Sequence, residues 1–153
     1  MIMIRRASVN DVDKILEILK QVNYVHHIIR PDIFKLGTKY SNEELKQIIN
    51  DDLRPIFVYE EKEIMGYIFC IIEKTNNPML NDIKTLYIDD LCVDEKYRGS
   101  GIGKKLYLYA KEFAKENGIY NITLNVWEGN DKAKGFYESL GLKPQKTYLE
   151  EII

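Results

Sequence analysis

The run Tyr97-Arg98-Gly99-Ser100-Gly101-Ile102-Gly103-Lys104-Lys105 sets three glycines at alternate positions, between a β-prone apolar segment and the start of a helical apolar pattern. That is the make-up of a strand-to-helix turn that binds a pyrophosphate. Glycine lets backbone N–H groups approach phosphate oxygens with no Cβ between them, and the first turn of a helix adds unpaired donors and about half a positive charge. Arg98 can add a permanently charged, bidentate clamp; Lys104 and Lys105 suit phosphates and bulk solvent equally. The spacing separates this run from two other phosphate loops. Gly99, Gly101 and Gly103 lack the last interval of the dinucleotide fingerprint G-x-G-x-x-G, and Lys105 stands where the nucleoside-triphosphate loop has Ser or Thr. Nicotinamide chemistry and ATP hydrolysis are both disfavoured.

The segment before the turn, Leu86-Tyr87-Ile88-Asp89-Asp90-Leu91-Cys92-Val93, is apolar but for two carboxylates. Burying a carboxylate without a partner is costly enough that such residues are paired or functional. Strand alternation sends Asp89 and Asp90 to opposite faces, so one at most faces a site at the turn unless a bulge re-aims both. An Asp near pKa 4 and an amine near 10 differ by about six units, roughly 8 kcal/mol, so an unshifted Asp is a poor base. A raised pKa, a water relay or simple attraction of an ammonium group remain as its uses. Cys92 reads as a small buried apolar residue whose thiol stays protonated. His26-His27, Tyr24, Tyr40, Tyr67 and Tyr87 suit either a ligand pocket or an exposed pair and ordinary packing, and Trp127 is expected to close the core.

These residues need a scaffold. Ile2 to Ala7 reads as a first strand, and Ser8 caps a helix with Val12, Ile15, Leu16, Leu19 and Val22 at helical spacing. Residues 23–39, with Arg30-Pro31-Asp32 and Gly37, read as a broken helix and loop fit for a lid. Ser41-Asn42-Glu43-Glu44 is a capping box before a second helix ending near Asp52. Pro55 to Tyr59 and Ile64 to Glu73 form a hairpin, and Thr85 to Val93 is a further strand. A helix from Gly101 to about Asn117 follows, then a strand from Ile119 to Trp127. Asn130 caps a last helix closed by Gly141, and Thr147 to Ile153 supplies a final strand.

The 153 residues suffice for one domain, 1–153, that buries about two-thirds of its unfolded surface without a metal or disulfide staple. A net charge of −2 disfavours nucleic acid as a partner. Cys70 and Cys92 form no CxxC pair and have no His at ligand spacing, so no metal site is expected. No stretch approaches the roughly 18 apolar residues that cross a bilayer, and no secretory pattern opens the chain, which points to a soluble protein of the reduced cytoplasm without a membrane partner.

Arg98-x-x-Gly101-x-Gly103 after this strand resembles the phosphate motif of the GNAT superfamily of acetyl-coenzyme A-dependent N-acetyltransferases. Asn130-x-x-Ala133-x-x-Phe136-Tyr137-Glu138-x-Leu140-Gly141-Leu142 resembles a second segment of that superfamily, with Leu142 in place of a common Phe. The resemblance implies an α/β (α+β) fold: a central mixed, mostly antiparallel sheet of six to seven strands flanked by about four helices. It implies acetyl-coenzyme A as acyl donor, with backbone groups of Leu91, Cys92 and Val93 on its pantetheine arm. Arg98, Gly99, Ser100, Gly101, Ile102, Gly103 and Lys104 would then cradle its pyrophosphate, and Asn130 and Ala133 would lie against it. Tyr137 is implied as general acid beside the sulfur, and Asp89 falls where some polyamine-acetylating relatives carry a proposed base. Chemistry agrees on Tyr137, because a phenol of pKa about 10 is protonated at neutral pH and can donate to a departing thiolate. Its place on a stripe with Ala133, Phe136 and Leu140 also suits a core aromatic. The activity implied is acetyl transfer to the amine of a small molecule or peptide; a noncatalytic acyl-coenzyme A sensor and a protein N-terminal or lysine acetyltransferase are the alternatives. A homodimer through strands near the C-terminus fits the same fold.

Overall fold

Alternating apolar residues along the middle of the chain form an antiparallel meander. β1 (Met3–Arg6), β2 (Ile56–Glu61), β3 (Glu63–Lys74) and β4 (Lys84–Val93) pair in chain order, and β5 (Asn121–Leu124) adds to β4 in parallel. The structure, a computed structural model, describes residues 1–153. Lys62 makes the tight β2–β3 turn with φ 72°, between the paired Glu61 and Glu63.

The two faces of the sheet are covered by different helices. α1 (Val12–Ile29) and α2 (Asn42–Ile49) bury Ile15, Ile18, Leu19, Leu45 and Ile48 against Ile56, Val58, Tyr67, Phe69 and Cys92. α3 (Ile102–Glu116) lays Ile102, Leu106, Ala110 and Ala114 over Phe57, Ile68, Cys70, Leu86 and Ile88. α4 (Asp131–Ser139) meets the start of α3, where Phe136 lies 3.3 Å from the position a Cβ on Gly103 would take. The start of α1 is pinned by Asp11, which accepts from the Ser8 N–H at 2.8 Å and from Arg5 at 2.8 and 2.9 Å. Ser41 and Glu44 close the predicted capping box on α2 at 3.1 and 3.2 Å.

Four expectations are corrected. The sheet has five strands, not six to seven. Residues 147–153 form no strand: Tyr148, Leu149, Ile152 and Ile153 are exposed, and strand propensity expresses fit to a half-buried surface that this segment does not have. The first helix does not break near residue 23 but runs to Ile29, where Pro31 keeps Arg30 out of the helical region. The strand expected to reach Trp127 stops at Leu124, because pairing with β4 ends at Ile88↔Leu124.

Candidate active site

The end of β4–β5 pairing coincides with a bulge in β4. Phe69 pairs with Asp90 and Cys70 with Ile88, which leaves Asp89 as an extra residue without a partner in β3. The bulge reverses the facing of the strand: Leu86 and Ile88 pack under α3, whereas Cys92 packs under α1 and α2. Asp90 therefore shares the α1/α2 side with its neighbours Tyr67 and Phe69. Asp89 reaches the same side, where Tyr40, stacked parallel on Phe69 at 5.8 Å, donates to its Oδ2 at 2.7 Å. Strict alternation, which separates the two carboxylates, is overturned by this one inserted residue.

The carboxylates meet different surroundings. Burial raises the Asp90 carboxyl to about 6, against the lowering effects of the Tyr67 hydrogen bond and the charge of Lys39. The Tyr67 hydroxyl donates to Asp90 Oδ2 at 2.7 Å from a fully buried ring. Asp89 instead takes Lys39 Nζ at 2.8 Å on Oδ1.

Beyond Val93 the chain turns through residues 95–97 into the glycine run. Gly99 and Gly101 have φ of 84° and 81°, a region costly to residues bearing a Cβ, and a Cβ built on either would meet open space. Conformation and an uncovered surface thus account for these glycines. Gly101 caps α3, and Lys105 donates to its carbonyl at 3.1 Å, so the N–H groups of Ile102, Gly103 and Lys104 are the free donors of the first turn. Arg98 donates Nε to the Val93 carbonyl at 3.1 Å, which leaves its terminal nitrogens for an anion. Ser100 Oγ donates to the Tyr97 carbonyl at 2.6 Å, and Lys105 lies over the Tyr59 ring. An anion-binding cradle at the mouth of the β4–β5 divergence fits a diphosphate group.

α4 brings Tyr137 to the same region. Burial pushes its hydroxyl well above the ordinary value, and Asp90, Cys92 and Tyr107 add to the shift, so the phenol keeps its proton. Asn130 Oδ1 caps α4 by accepting from the Ala133 N–H at 3.3 Å, and its amide nitrogen is without a protein partner. Burial likewise drives the Cys92 thiol up to about 12, in keeping with an inert packing residue. Leu91, Cys92 and Val93 lie past the last residue pair that joins β4 to β5.

Sequence reasoning left the other wall undecoded. His26 and His27 are half-buried instead of exposed: His26 packs on the Phe34 ring at 4.9 Å, and His27 Nδ1 lies 2.6 Å from the Phe34 carbonyl. Burial and the charge of Lys39 hold His26 below its ordinary pKa. Trp127 does not close the core; it is 36% exposed, edge-on to Phe34 and below Arg30. Residues 30–41 are therefore fastened to α1 and to the β5–α4 connection. Of the tyrosines, Tyr40 and Tyr67 serve the carboxylates, Tyr87 takes a bond from Asn125 at 3.0 Å, and Tyr24 is exposed. The arrangement sets the free donors of the glycine turn beside two carboxylates and a protonated phenol, where β4 and β5 part. No helix is long and apolar enough to cross a membrane.

Comparison with known proteins gives the same direction. The acetyltransferase (GNAT) family model matches residues 22–142. An uncharacterized N-acetyltransferase of Lactobacillus delbrueckii subsp. lactis is 31% identical over 86 residues, 56% of this chain and 49% of that protein. Glucosamine 6-phosphate N-acetyltransferase of Trypanosoma brucei brucei is 37% identical over 63 residues, 41% of each. The chain thus spans about half, or less, of the length of these relatives. The crystal structure of a mutant BH1408 protein from Bacillus halodurans superposes with a TM-score of 0.94 at 31% identity, over 99% of both chains.

Proposed function

The chain belongs to the acetyltransferase (GNAT) family, and on that premise we propose that it moves an acetyl group from acetyl-coenzyme A directly to a primary amine. One observation supports this reading: β4 parts from β5 at the Asp89 bulge, and the glycine turn, the raised Asp90 carboxyl and the protonated Tyr137 phenol all lie about that divergence. The residues present fit the carrier. The Gly101–Lys104 donors and the terminal nitrogens of Arg98 take its diphosphate, the main chain of Leu91–Val93 takes its pantetheine arm, and the Asn130 amide contacts it beside Ala133. When bound, acetyl-coenzyme A supplies the activated acetyl thioester.

Asp90 accepts the proton that the acceptor ammonium must lose before its nitrogen can attack. At about 6 its carboxyl lies roughly 4 units below an alkylamine, which lowers the penalty of that transfer from about 8 to about 5 kcal/mol. Asp89 attracts the ammonium to the cleft. A backbone N–H near Cys92 stabilises the negative charge that develops on the acetyl oxygen, and Tyr137 gives its hydrogen bond and then its proton to the departing sulfur. The C–N bond forms and the C–S bond breaks; nitrogen loses two protons in passing from ammonium to amide, of which Asp90 hands the first to solvent and the second replaces, through solvent, the proton that Tyr137 gives to sulfur.

The test is thiol release by the purified protein from acetyl-coenzyme A across a panel of alkylamines, amino sugars and lysine peptides. Amine-dependent release that falls in both Asp90→Asn and Tyr137→Phe is the expected result. Binding of coenzyme A with no release from any amine would instead make the chain an acyl-coenzyme A sensor.

A further inference from the structure

Lys39 stands where a cationic acceptor would be held, although it belongs to the protein. Its Nζ lies 2.8 Å from Asp89 Oδ1, while Tyr40 donates to the other oxygen at 2.7 Å. The ammonium is 5.5 Å from the centre of the Tyr40 ring, and that ring lies flat on Phe69, the register partner of Asp90. A carboxylate oriented by a phenol, with an aromatic face alongside, is a seat built for an ammonium group. The Asp89 side chain is 13% exposed and the Lys39 side chain 44%. The carboxylate belongs to the wall, and the lysine reaches it from solvent. Its charge also lowers the pKa of Asp90 and of His26.

We propose that Lys39 is a resident ammonium in the acceptor seat, which an incoming primary alkylammonium on a flexible, lysine-like chain displaces. The proposal rests on the acetyl-transfer reading and deepens it by naming the acceptor class. Lys39 is tethered through residues 30–41, so it competes at the effective concentration of an intramolecular ligand, yet it is solvated enough to leave. An occupant of this kind raises the apparent acceptor KM and turns away amines too bulky or too anionic to take its place.

The experiment compares the full chain with Lys39→Met and Lys39→Gln, with Lys35→Met as control. Lys35 lies in the same connection and is held there by its carbonyl, which accepts from Asn23. Calorimetric titration with n-butylammonium, in the absence of any acyl donor, reads the seat alone. Both Lys39 variants are expected to bind it about threefold or more tightly than the parent chain, with Lys35→Met unchanged. Thiol release with n-butylamine should show the same fall in KM at similar kcat. Equal or weaker binding by the Lys39 variants, no binding by any of the proteins, or an equal gain in Lys35→Met would overturn the proposal. Tighter binding without acetyl transfer by any variant would keep the seat and remove the acetyltransferase reading.

Discussion

Tyr67 donates its hydroxyl to Asp90 across 2.7 Å, from a ring with no exposed surface in the adjoining strand. The bond holds one carboxylate oxygen in a fixed direction and leaves the other for a proton. Burial of the pair dominates, so the carboxyl titrates at about 6 despite a hydrogen bond that favours its charged form.

Asp90→Asn keeps an acceptor for Tyr67 and removes the proposed base. The expected loss in kcat/KM is about 10²-fold, and the acid limb of the parent profile, centred near pH 6, disappears with it. Stability moves the other way. A carboxyl whose folded-state pKa is raised carries no penalty below the unfolded value near 4, and a growing one as pH rises through 6. Asp90→Asn should therefore be about 3 kcal/mol more stable than the parent chain at pH 8 and equal to it below pH 4, read by denaturant melts at both pH values.

Tyr137→Phe removes a hydroxyl without altering the ring that packs edge-on to Phe136 at 5.1 Å. Expected is a kcat lower by about 10²-fold with the KM for the acyl donor within about threefold, since the hydrogen bond matters as sulfur departs. Equal turnover in steady-state thiol release would remove Tyr137 from the mechanism.

Gly101→Ala tests the cradle. The site has room for a methyl group but demands φ near 81°, which costs a non-glycine residue about 1 kcal/mol or more. If the turn relaxes to escape that strain, its N–H groups leave register, and calorimetry should find coenzyme A bound about tenfold more weakly. Gly118→Ala has a similar φ of 66° at the far end of α3 and controls for stability alone.

Much of this was legible in the chain. The capping box at Ser41, the glycine turn ahead of α3 and the Asn130 cap on α4 depend on neighbours within a few residues, and such local chemistry survives folding. The facing of Asp89 and Asp90 was not legible, because a bulge is set by pairing between β3 and β4, and no residue type in Ile88-Asp89-Asp90-Leu91 announces one. The strand expected at Thr147 failed for the opposite reason: its residues suit a sheet, but propensity does not supply a surface to pair with. The roles of Lys39, Tyr40 and Trp127 came from contacts made by residues 30–41, which lie far from Asp89 and Trp127 in sequence.

Cys92 invites an acyl-enzyme route, and its burial argues against one. With the thiol driven up to about 12, the nucleophilic form is scarce at neutral pH. Cys92→Ala should keep turnover within about threefold, and intact-mass measurement of the parent chain quenched during turnover should find no acetyl group on Cys92.

Asp94 links the segment leading into the glycine turn to α1. Its side chain is wholly buried and accepts from Lys14 Nζ at 3.0 Å, Gln21 Nε2 at 3.3 Å and the Lys96 N–H at 3.2 Å. Gln21 also accepts from the Glu95 N–H, so two side chains of α1 hold the residues that lead into the glycine turn. Burial alone would raise the Asp94 pKa, but Lys14 and the other donors outweigh it, and the carboxyl lies below its ordinary value. A lowered carboxyl contributes stability above its unfolded value near 4 and loses it as pH falls through the folded one. Asp94→Asn should therefore cost about 2–3 kcal/mol at neutral pH, a gap that narrows as the solution is acidified below pH 4. Lys14→Met should behave differently, because it strands a buried charge, whereas Asp94→Asn leaves an ammonium that can turn to solvent. Without Lys14, the largest influence that opposes burial, the Asp94 pKa moves upward, so this variant should be less stable than the parent chain at pH 7, by a deficit that shrinks as pH falls toward 4. Urea melts of the three proteins across that range decide it: parallel curves for Lys14→Met and the parent chain would show that Lys14 does not hold Asp94 in its charged form.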